Sequence, residues 1–553
     1  MLSVKQGEEP KSRGALRASR LHHGARAEAA AATAFPLATD AAIEVLRTGG
    51  NAVDAAIAAA WALCVCEPSA SGVGGQTTLL LYMADGTARV IDGNSYAPKG
   101  VSLDVVTESQ QRNGYRSCTI PSTPATLEYA RKKFGVLSRE QLLESAIRIA
   151  EEGYAITPLQ HRQMGWVASM LRDSEETSRL FLHNGAPPQP GAIFRQPVLA
   201  KMLRRLGDKG IEDFYRGGIA GFIVEDMRQN NGLLNGADLA DCDLPVEREA
   251  LRTDYRGYEV LSTPPPGGGL QVLLALRFLE AFAPGDFSEG PEEWHEAIAL
   301  AIYSVFRERE NSPLSPEEAT RSQIDRILDR DRIRRLAVKL QEEGVSVDET
   351  LSGIEEPGDT THLTVADSEG NVVALTQSIQ SVFGAKVANR SLGFLYNNYL
   401  RTCPRHPHPY QLGSRCQPRS NVAPTLVLKK GDAGRVPVMA LGGAGSRRTI
   451  SAIVQVASAV IDRGLGFAEA VAAPRVHALL SKDVWVEEPA ASEKLLKKLE
   501  RRSLKIKTMP AQSYRFGSVQ GLHWLPDGTV LGAADPRRDG TAKVLARPGE
   551  SAS

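Results

Sequence analysis

The chain has no long apolar run, few cysteines and no surplus of either charge. Its most hydrophobic stretch, Ala55 to Val65, is alanine-rich and follows Asn51 and Asp54. It is too short to cross a bilayer, which takes about 20 apolar residues, and it predicts a buried helix. The first 26 residues carry Lys5, Lys11, Arg13, Arg17, Arg20 and Arg26 but no apolar segment. They make no secretory signal and are expected to form a disordered tail over 1–26. With neither span nor signal, the expected location is the cytoplasm. Six cysteines, Cys64, Cys66, Cys118, Cys242, Cys403 and Cys416, are scattered along 553 residues. That use suits a reducing compartment better than a disulfide framework. Lys and Arg number 65, as do Asp and Glu. A neutral chain gives no global electrostatic reason to bind nucleic acid or an anionic membrane. Arg204-Arg205, Arg330 to Lys339 and Lys494 to Lys505 are expected to be solvated helix faces.

What remains is an ordinary globular composition, 42% hydrophobic and 24% charged, long enough for a large core. No internal repeat is visible, and low complexity is confined to Ala27 to Ala34. Phe35 to Val65 predicts two helices joined at Gly49-Gly50. Thr77 to Asn94 alternates as a hairpin turning at Asp85-Gly86. Glu128 to Gly165, Gln196 to Asn230, Gln271 to Phe282, Trp294 to Arg309 and Gln323 to Glu343 have helical character. Asp254 to Ser262 predicts one strand. Further strands are expected at Pro424 to Lys429, Val436 to Leu441, Val484 to Val486 and Val519 to Trp524, with a helix over Ser451 to Arg463.

One segment carries chemistry. Asp359-Thr360-Thr361-His362-Leu363-Thr364-Val365-Ala366-Asp367 follows a loop-like run, Gly353 to Gly358. His362, Thr364 and Ala366 fall on one side, Leu363 and Val365 on the other, the period of a strand. Ser368-Glu369-Gly370-Asn371 predicts a hairpin turn into a second strand. By itself a threonine pair opening a strand is an ordinary strand start. If the chain were cut before Thr360, however, that residue would carry a hydroxyl nucleophile. Its free α-amine, of ordinary pKa about 7.7–8.0, could act as its base.

Other motifs favour the chemical reading. They are Gly49-Gly50-Asn51-Ala52-Val53-Asp54-Ala55-Ala56, Glu67-Pro68, Gly72-Val73-Gly74-Gly75, Asp254-Tyr255-Arg256-Gly257-Tyr258 and Pro264 to Gly269. After Thr360-Thr361-His362 and Asp367-Gly370-Asn371 come Asn397-Asn398, Pro424-Thr425, Gly445-Ser446-Arg447 and Ala473-Pro474-Arg475. In this order, from about Ala27 to about Arg538, the chain resembles the γ-glutamyltransferase family of N-terminal-nucleophile hydrolases. The resemblance implies an α+β, four-layer αββα sandwich with two central antiparallel sheets. It implies autocatalytic cleavage between Asp359 and Thr360. One intertwined unit would then hold a large piece, 27–359, and a small piece, 360–553, leaving a higher oligomer open.

The resemblance also places a site. Thr360 would be the nucleophile, and Ser378 stands where the family has a threonine that holds the amine. Ala444-Gly445 aligns with the family's glycine pair, whose amides form an oxyanion hole. His362 is expected to be structural. The amino-acid clamp is altered: Asn94 replaces the arginine that binds the glutamyl carboxylate. Tyr399-Leu400-Arg401-Thr402 contains no acid for the α-ammonium, Ser420-Asn421 replaces a serine pair, and Gln380 replaces an asparagine. An unpaired ammonium in such a pocket costs several kcal/mol. The expectation is therefore an amide hydrolase working by acyl transfer to water on a small-molecule, non-glutamyl donor. The alternatives are a genuine γ-glutamyl hydrolase and an unprocessed homologue that only binds. Cys403, His406, His408 and Cys416 are zinc-ligand types. Their spacing and the interleaved Pro404, Pro407 and Pro409 favour a proline-rich lid instead, and no metal or cofactor is expected.

Overall fold

The computed structural model describes residues 22–243, 245–287, 290–345, 358–431 and 434–546. Residues 353–357 of the loop-like run and the first 21 residues of the expected tail lie outside them. Thirteen strands build two antiparallel sheets. The first runs β4 (Val246–Arg248), β3 (Ala88–Asp92), β2 (Gln76–Tyr82), β8 (Val372–Ser378), β7 (Thr361–Ala366), β1 (His22–Thr33) and β13 (Thr541–Ala546). The second runs β12 (Thr529–Ala534), β11 (Ser518–Trp524), β10 (Gly434–Ala444), β9 (Thr425–Gly431), β6 (Tyr258–Ser262) and β5 (Leu251–Tyr255). Strand β1 belongs to both sheets. Its first residues pair with β12, Ala27–Thr33 pairs with β13, and Ala30–Thr33 also pairs with β7.

Alternation along each strand sorts side chains into three cores. Leu79, Leu81, Leu363, Val365, Val373 and Leu375 pack on a helical layer that includes α1 (Pro36–Arg47), α2 (Ala52–Cys66), α3 (Arg139–Glu152) and α4 (Pro158–Arg172). Leu80, Tyr82, Ala366, Val372 and Ala374 meet Leu261, Leu426, Ala440 and Leu522 between the sheets. Val260, Val427, Met439 and Val519 face α5 (Gly269–Leu279), α6 (Pro291–Asn311) and α7 (Arg448–Ile461) on the far side. The architecture is thus the expected αββα sandwich.

Helix α2 is buried along its whole length. Alanines let it lie close to the sheet, and a reciprocal capping box between Asn51 and Asp54 satisfies its first amides. Among the described residues no helix is long and apolar enough to cross a membrane.

Three expectations need correction. The strand expected over Asp254 to Ser262 is the hairpin β5–β6. Arg256 and Gly257, at φ 50° and 85°, make a two-residue turn with the twist such hairpins need. The tail expected over 1–26 is too long, because β1 starts at His22. The low-complexity alanines are the inner half of that strand. Ala30 and Ala32 face the inter-sheet core and Ala31 the helical core, where only small side chains fit between close layers. The helix over Gln323 to Glu343 is two, Arg321–Ile327 and Arg330–Glu343, with Asp329 capping the second through Arg332 N at 2.8 Å.

Candidate active site

The β7–β8 hairpin sets the site's register. Asp367 Oδ1 accepts the amides of Glu369 and Asn371, each at 3.0 Å, closing the turn. Its Oδ2 accepts Ala52 N at 2.9 Å, so the hairpin tip is docked on the positive end of α2. At the other end Gln377 pairs with Thr361, which brings Ser378 opposite Thr360.

Two hydroxyls converge on one carbonyl there. Thr360 Oγ1 donates to Asp359 O at 2.7 Å, and Ser378 Oγ donates to the same oxygen at 2.8 Å. The hydroxyls are 3.4 Å apart, and Gln380 N donates to Ser378 Oγ at 2.8 Å. Asp359 N donates to Gln380 O, also at 2.8 Å. Thr360 is 8% exposed and Asp359 fully buried.

The Asp359 carboxylate is held from four directions. Oδ1 accepts Thr360 N at 3.0 Å and pairs with Arg538. Oδ2 accepts Gln163 Nε2 at 3.0 Å and lies 3.5 Å from Ser69 Oγ. Arg538 stacks on the Tyr514 ring, 4.3 Å from its centre, and Asp359 beside it keeps the guanidinium charged despite burial. Glu67, the residue that ends α2, completes the group. Burial, then the neighbouring Asp359 charge, push its carboxyl up to about 8. Its Oε2 has no hydrogen-bond partner among the described residues, as suits a carboxyl kept neutral. Sequence reasoning missed Gln163, Tyr514 and Arg538 and assigned Glu67 no role. The Glu67-Pro68 motif and the Arg537-Arg538 pair at the end of the resemblance were the available signals.

His362 is enclosed between two hydroxyls. Its nitrogens lie 2.8 Å from Thr376 Oγ1 and 3.0 Å from Thr364 Oγ1, and burial takes its pKa down to about 3. Its ring lies against Gly442, where no side chain would fit.

Glycine turns bring the surrounding walls in. A Cβ on Gly75 would lie 2.4 Å from Ser378 O, and one on Gly74 2.2 Å from Leu395 O. Asn397 ties this turn down, donating to Gly74 O at 2.8 Å and Thr119 O at 3.0 Å. Strand β10 ends at Ala444, and Gly445 at φ 121° and Ser446 at φ 58° bend its exit into α7. Ser446 Cβ lies 2.9 Å from where a Gly358 side chain would start, so this turn flanks the Asp359–Thr360 bond.

The residues expected to bind substrate form the remaining wall, with unequal freedom. Asn94 is buried and fully committed: Oδ1 accepts Gln76 Nε2 at 2.7 Å, and Nδ2 donates to Asp92 at 2.6 Å. Thr402 Oγ1 is spent on Tyr399 O and Arg419 O. Tyr399 is buried among Ser378, Ser420 and Gln76, and burial pushes its phenol up to about 12. Asn421 Oδ1 and Ser420 O accept Arg309 at 2.6 and 2.9 Å. Gln380 Oε1 accepts Ser381 Oγ at 2.6 Å, and Arg401 Nη1 donates to that same hydroxyl at 3.1 Å. Arg401 therefore lies against the segment beside Ser378. Behind this wall Glu310 is shared by Arg419 at 2.9 Å and Arg447 at 3.2 Å, with Arg309 adjacent. Burial and the Arg419 charge lower the Arg309 pKa to about 10. One carboxylate among three guanidiniums gives this cluster a net positive charge.

Known proteins give the chain a family. The family model described as gamma-glutamyltranspeptidase matches residues 38–545. The chain is 31% identical to a glutathione hydrolase proenzyme of Pseudomonas sp. strain A14, over 80% of each chain. It is also 31% identical to the acylase ACY 1 proenzyme of Pseudomonas sp. strain V22, over 93% of each. The crystal structure of cephalosporin acylase from Bacillus halodurans superposes with a TM-score of 0.87 at 27% identity, covering 98% of this chain and 99% of that one. A match this long, on this fold, makes the chain an enzyme of the γ-glutamyltranspeptidase family.

Proposed function

We propose that the protein is a self-cleaving N-terminal-threonine amidohydrolase with a non-glutamyl acyl donor. The observation that carries this reading is the convergence of the Thr360 and Ser378 hydroxyls on the Asp359 carbonyl. In maturation Thr360 Oγ1 bonds to the Asp359 carbonyl carbon and the C–N bond breaks. The hydroxyl proton ends on the Thr360 nitrogen, and water then opens the ester. The products are the pieces 1–359 and 360–553. In turnover the freed amine takes the hydroxyl proton, Thr360 Oγ1 attacks the donor carbonyl, and the leaving amine departs with a proton. Water releases the acid. Ser378 holds the amine, and backbone amides of the Ala444–Gly445 turn stabilise the oxyanion.

The donor wall supports the specificity. Asn94 is closed off by Asp92 and Gln76, Tyr399 and Thr402 offer no carboxylate, and Arg401 adds positive charge. A donor ending in a carboxylate and lacking an ammonium suits Arg401, which can offer a bidentate fork. The likeness to proteins named acylases points the same way.

The test has two arms. Thr360→Ala should remain one full-length band and be inactive, while the parent yields a chain whose first residue is Thr360. A single active full-length band removes the mechanism, and an inactive one favours a binding protein. Specificity constants for glutaryl and γ-glutamyl anilides are then compared. A tenfold preference for the γ-glutamyl compound, about 1.4 kcal/mol, would restore ordinary γ-glutamyl chemistry.

A further inference from the structure

Of the six cysteines, two face each other. Cys403 Sγ and Cys416 Sγ are 3.7 Å apart, and both are free thiols. Cys403 is 3% exposed, packed with Leu400, Leu412, Ala97, Val101 and Val106, whereas Cys416 is only half-buried. Backbone on both sides is pinned to the rest of the molecule. Gln111 Nε2 donates to Leu400 O and Cys403 O at 2.7 Å, and Ala97 N donates to Cys416 O at 2.8 Å. The thiols are thus held together by folding, at the two ends of the proline-rich loop. Immediately outside them lie Thr402, through which the chain returns to Arg401, and Gln417 to Asn421. Thr402 Oγ1 already bridges these flanks through Arg419 O at 2.9 Å.

We propose that Cys403 and Cys416 are a thiol–disulfide modification site that takes small-molecule disulfides. The partly exposed Cys416 attacks first as thiolate. Its sulfur bonds to one sulfur of the incoming disulfide, and the other sulfur leaves as a thiolate. Cys403 then gives up its proton and attacks the Cys416 sulfur, expelling the second thiolate. The protein loses two electrons and two protons, and one small disulfide becomes two thiols. The greater exposure of Cys416 sets this order of attack, and the contact between the two sulfurs lowers the Cys416 pKa while raising that of Cys403. Cys64, Cys66 and Cys118 do not compete, because they are buried, and burial pushes Cys64 up to about 12.

Once formed, the bond ties the loop shut at its root and stiffens Arg401 and Ser420-Asn421 together. This second step rests on the proposed donor wall; the disulfide itself does not. Purified mature enzyme, with both pieces present, is incubated with glutathione disulfide, and the free thiols and peptide masses are measured. The expected result is loss of both thiols, a link between the peptides carrying Cys403 and Cys416, and recovery with dithiothreitol. KM for the amide donor should differ between the two forms. Cys403→Ser and Cys416→Ser should each abolish the link and leave the reduced enzyme's activity unchanged. Retention of both thiols, or glutathione remaining on Cys416 with no internal link, overturns the site. A link that forms without moving KM overturns the donor-wall reading and leaves the site standing.

Discussion

Asp359 is the residue on which the proposed maturation turns, although it is not the nucleophile. Its carboxylate fixes Thr360 N and is itself neutralised by Arg538. Arg538→Ala would leave that charge buried and unpaired, a cost of several kcal/mol. Maturation should slow or stop, with a time course on a denaturing gel as the measure. Parent-like conversion would show the ion pair to be irrelevant to the cut. Ser378→Ala should lower turnover more than it raises KM, because the hydroxyl serves the nucleophile rather than the donor. An unchanged turnover number would remove Ser378 from the machinery. Activity of the mature enzyme should rise with pH through a macroscopic pKa near neutrality, the range of a free α-amine. Thr360, Ser378 and Gln380 were legible as candidates through the family resemblance, and one hairpin register brings them together. The cage around Asp359 was not, because Glu67, Gln163, Tyr514 and Arg538 arrive from distant segments with no shared period.

At the scale of elements, the glycine turn before β2 sets how closely that strand approaches Ser378. Gly75→Ala would put a methyl 2.4 Å from a backbone oxygen that cannot retreat. The expected cost is about 1–3 kcal/mol in chemical denaturation, typical of overpacking, together with reduced turnover. Gly100→Ala, with nothing within 4 Å of the added carbon, is the matched control and should be neutral. A benign Gly75→Ala would mean that β2 and β8 have slack. The alternation of β7 and the apolar run of β2 before its Asp85-Gly86 turn made both legible. The alanine half of β1 was not, because alanine gives little contrast between its two faces. The β5–β6 turn was lost because Arg256 and Gly257 sit inside an otherwise strand-like run. Asn94 and Thr402 were legible as substitutions but not as closed positions, since only packing shows that their polar atoms are already used.

The whole molecule stores buried titratable groups that pull stability in opposite directions. Burial lowers His362 to about 3 and His295 and His523 to about 4, below the ordinary 6.5. Their contribution is complete above pH about 6.5 and is lost as pH falls towards those lowered values. Urea midpoints should therefore drop between pH 7 and 5, and a flat profile would contradict the burial. Glu67 works the other way, being raised from 4.5 to about 8. Its contribution is present in acid and lost as pH rises towards 8. In the uncut Thr360→Ala background, Glu67→Gln should gain on its parent steadily from pH 5 to 8. A constant gap would show that Glu67 is already ionised. The cut itself has a consequence read from β1. That strand lies before residue 359, and all its partners, β7, β12 and β13, lie after it. The two fragments would share a continuous backbone ladder, so parting them means unravelling both sheets. The severed enzyme should then keep its specific activity at any dilution, with no dissociation constant to measure between its halves.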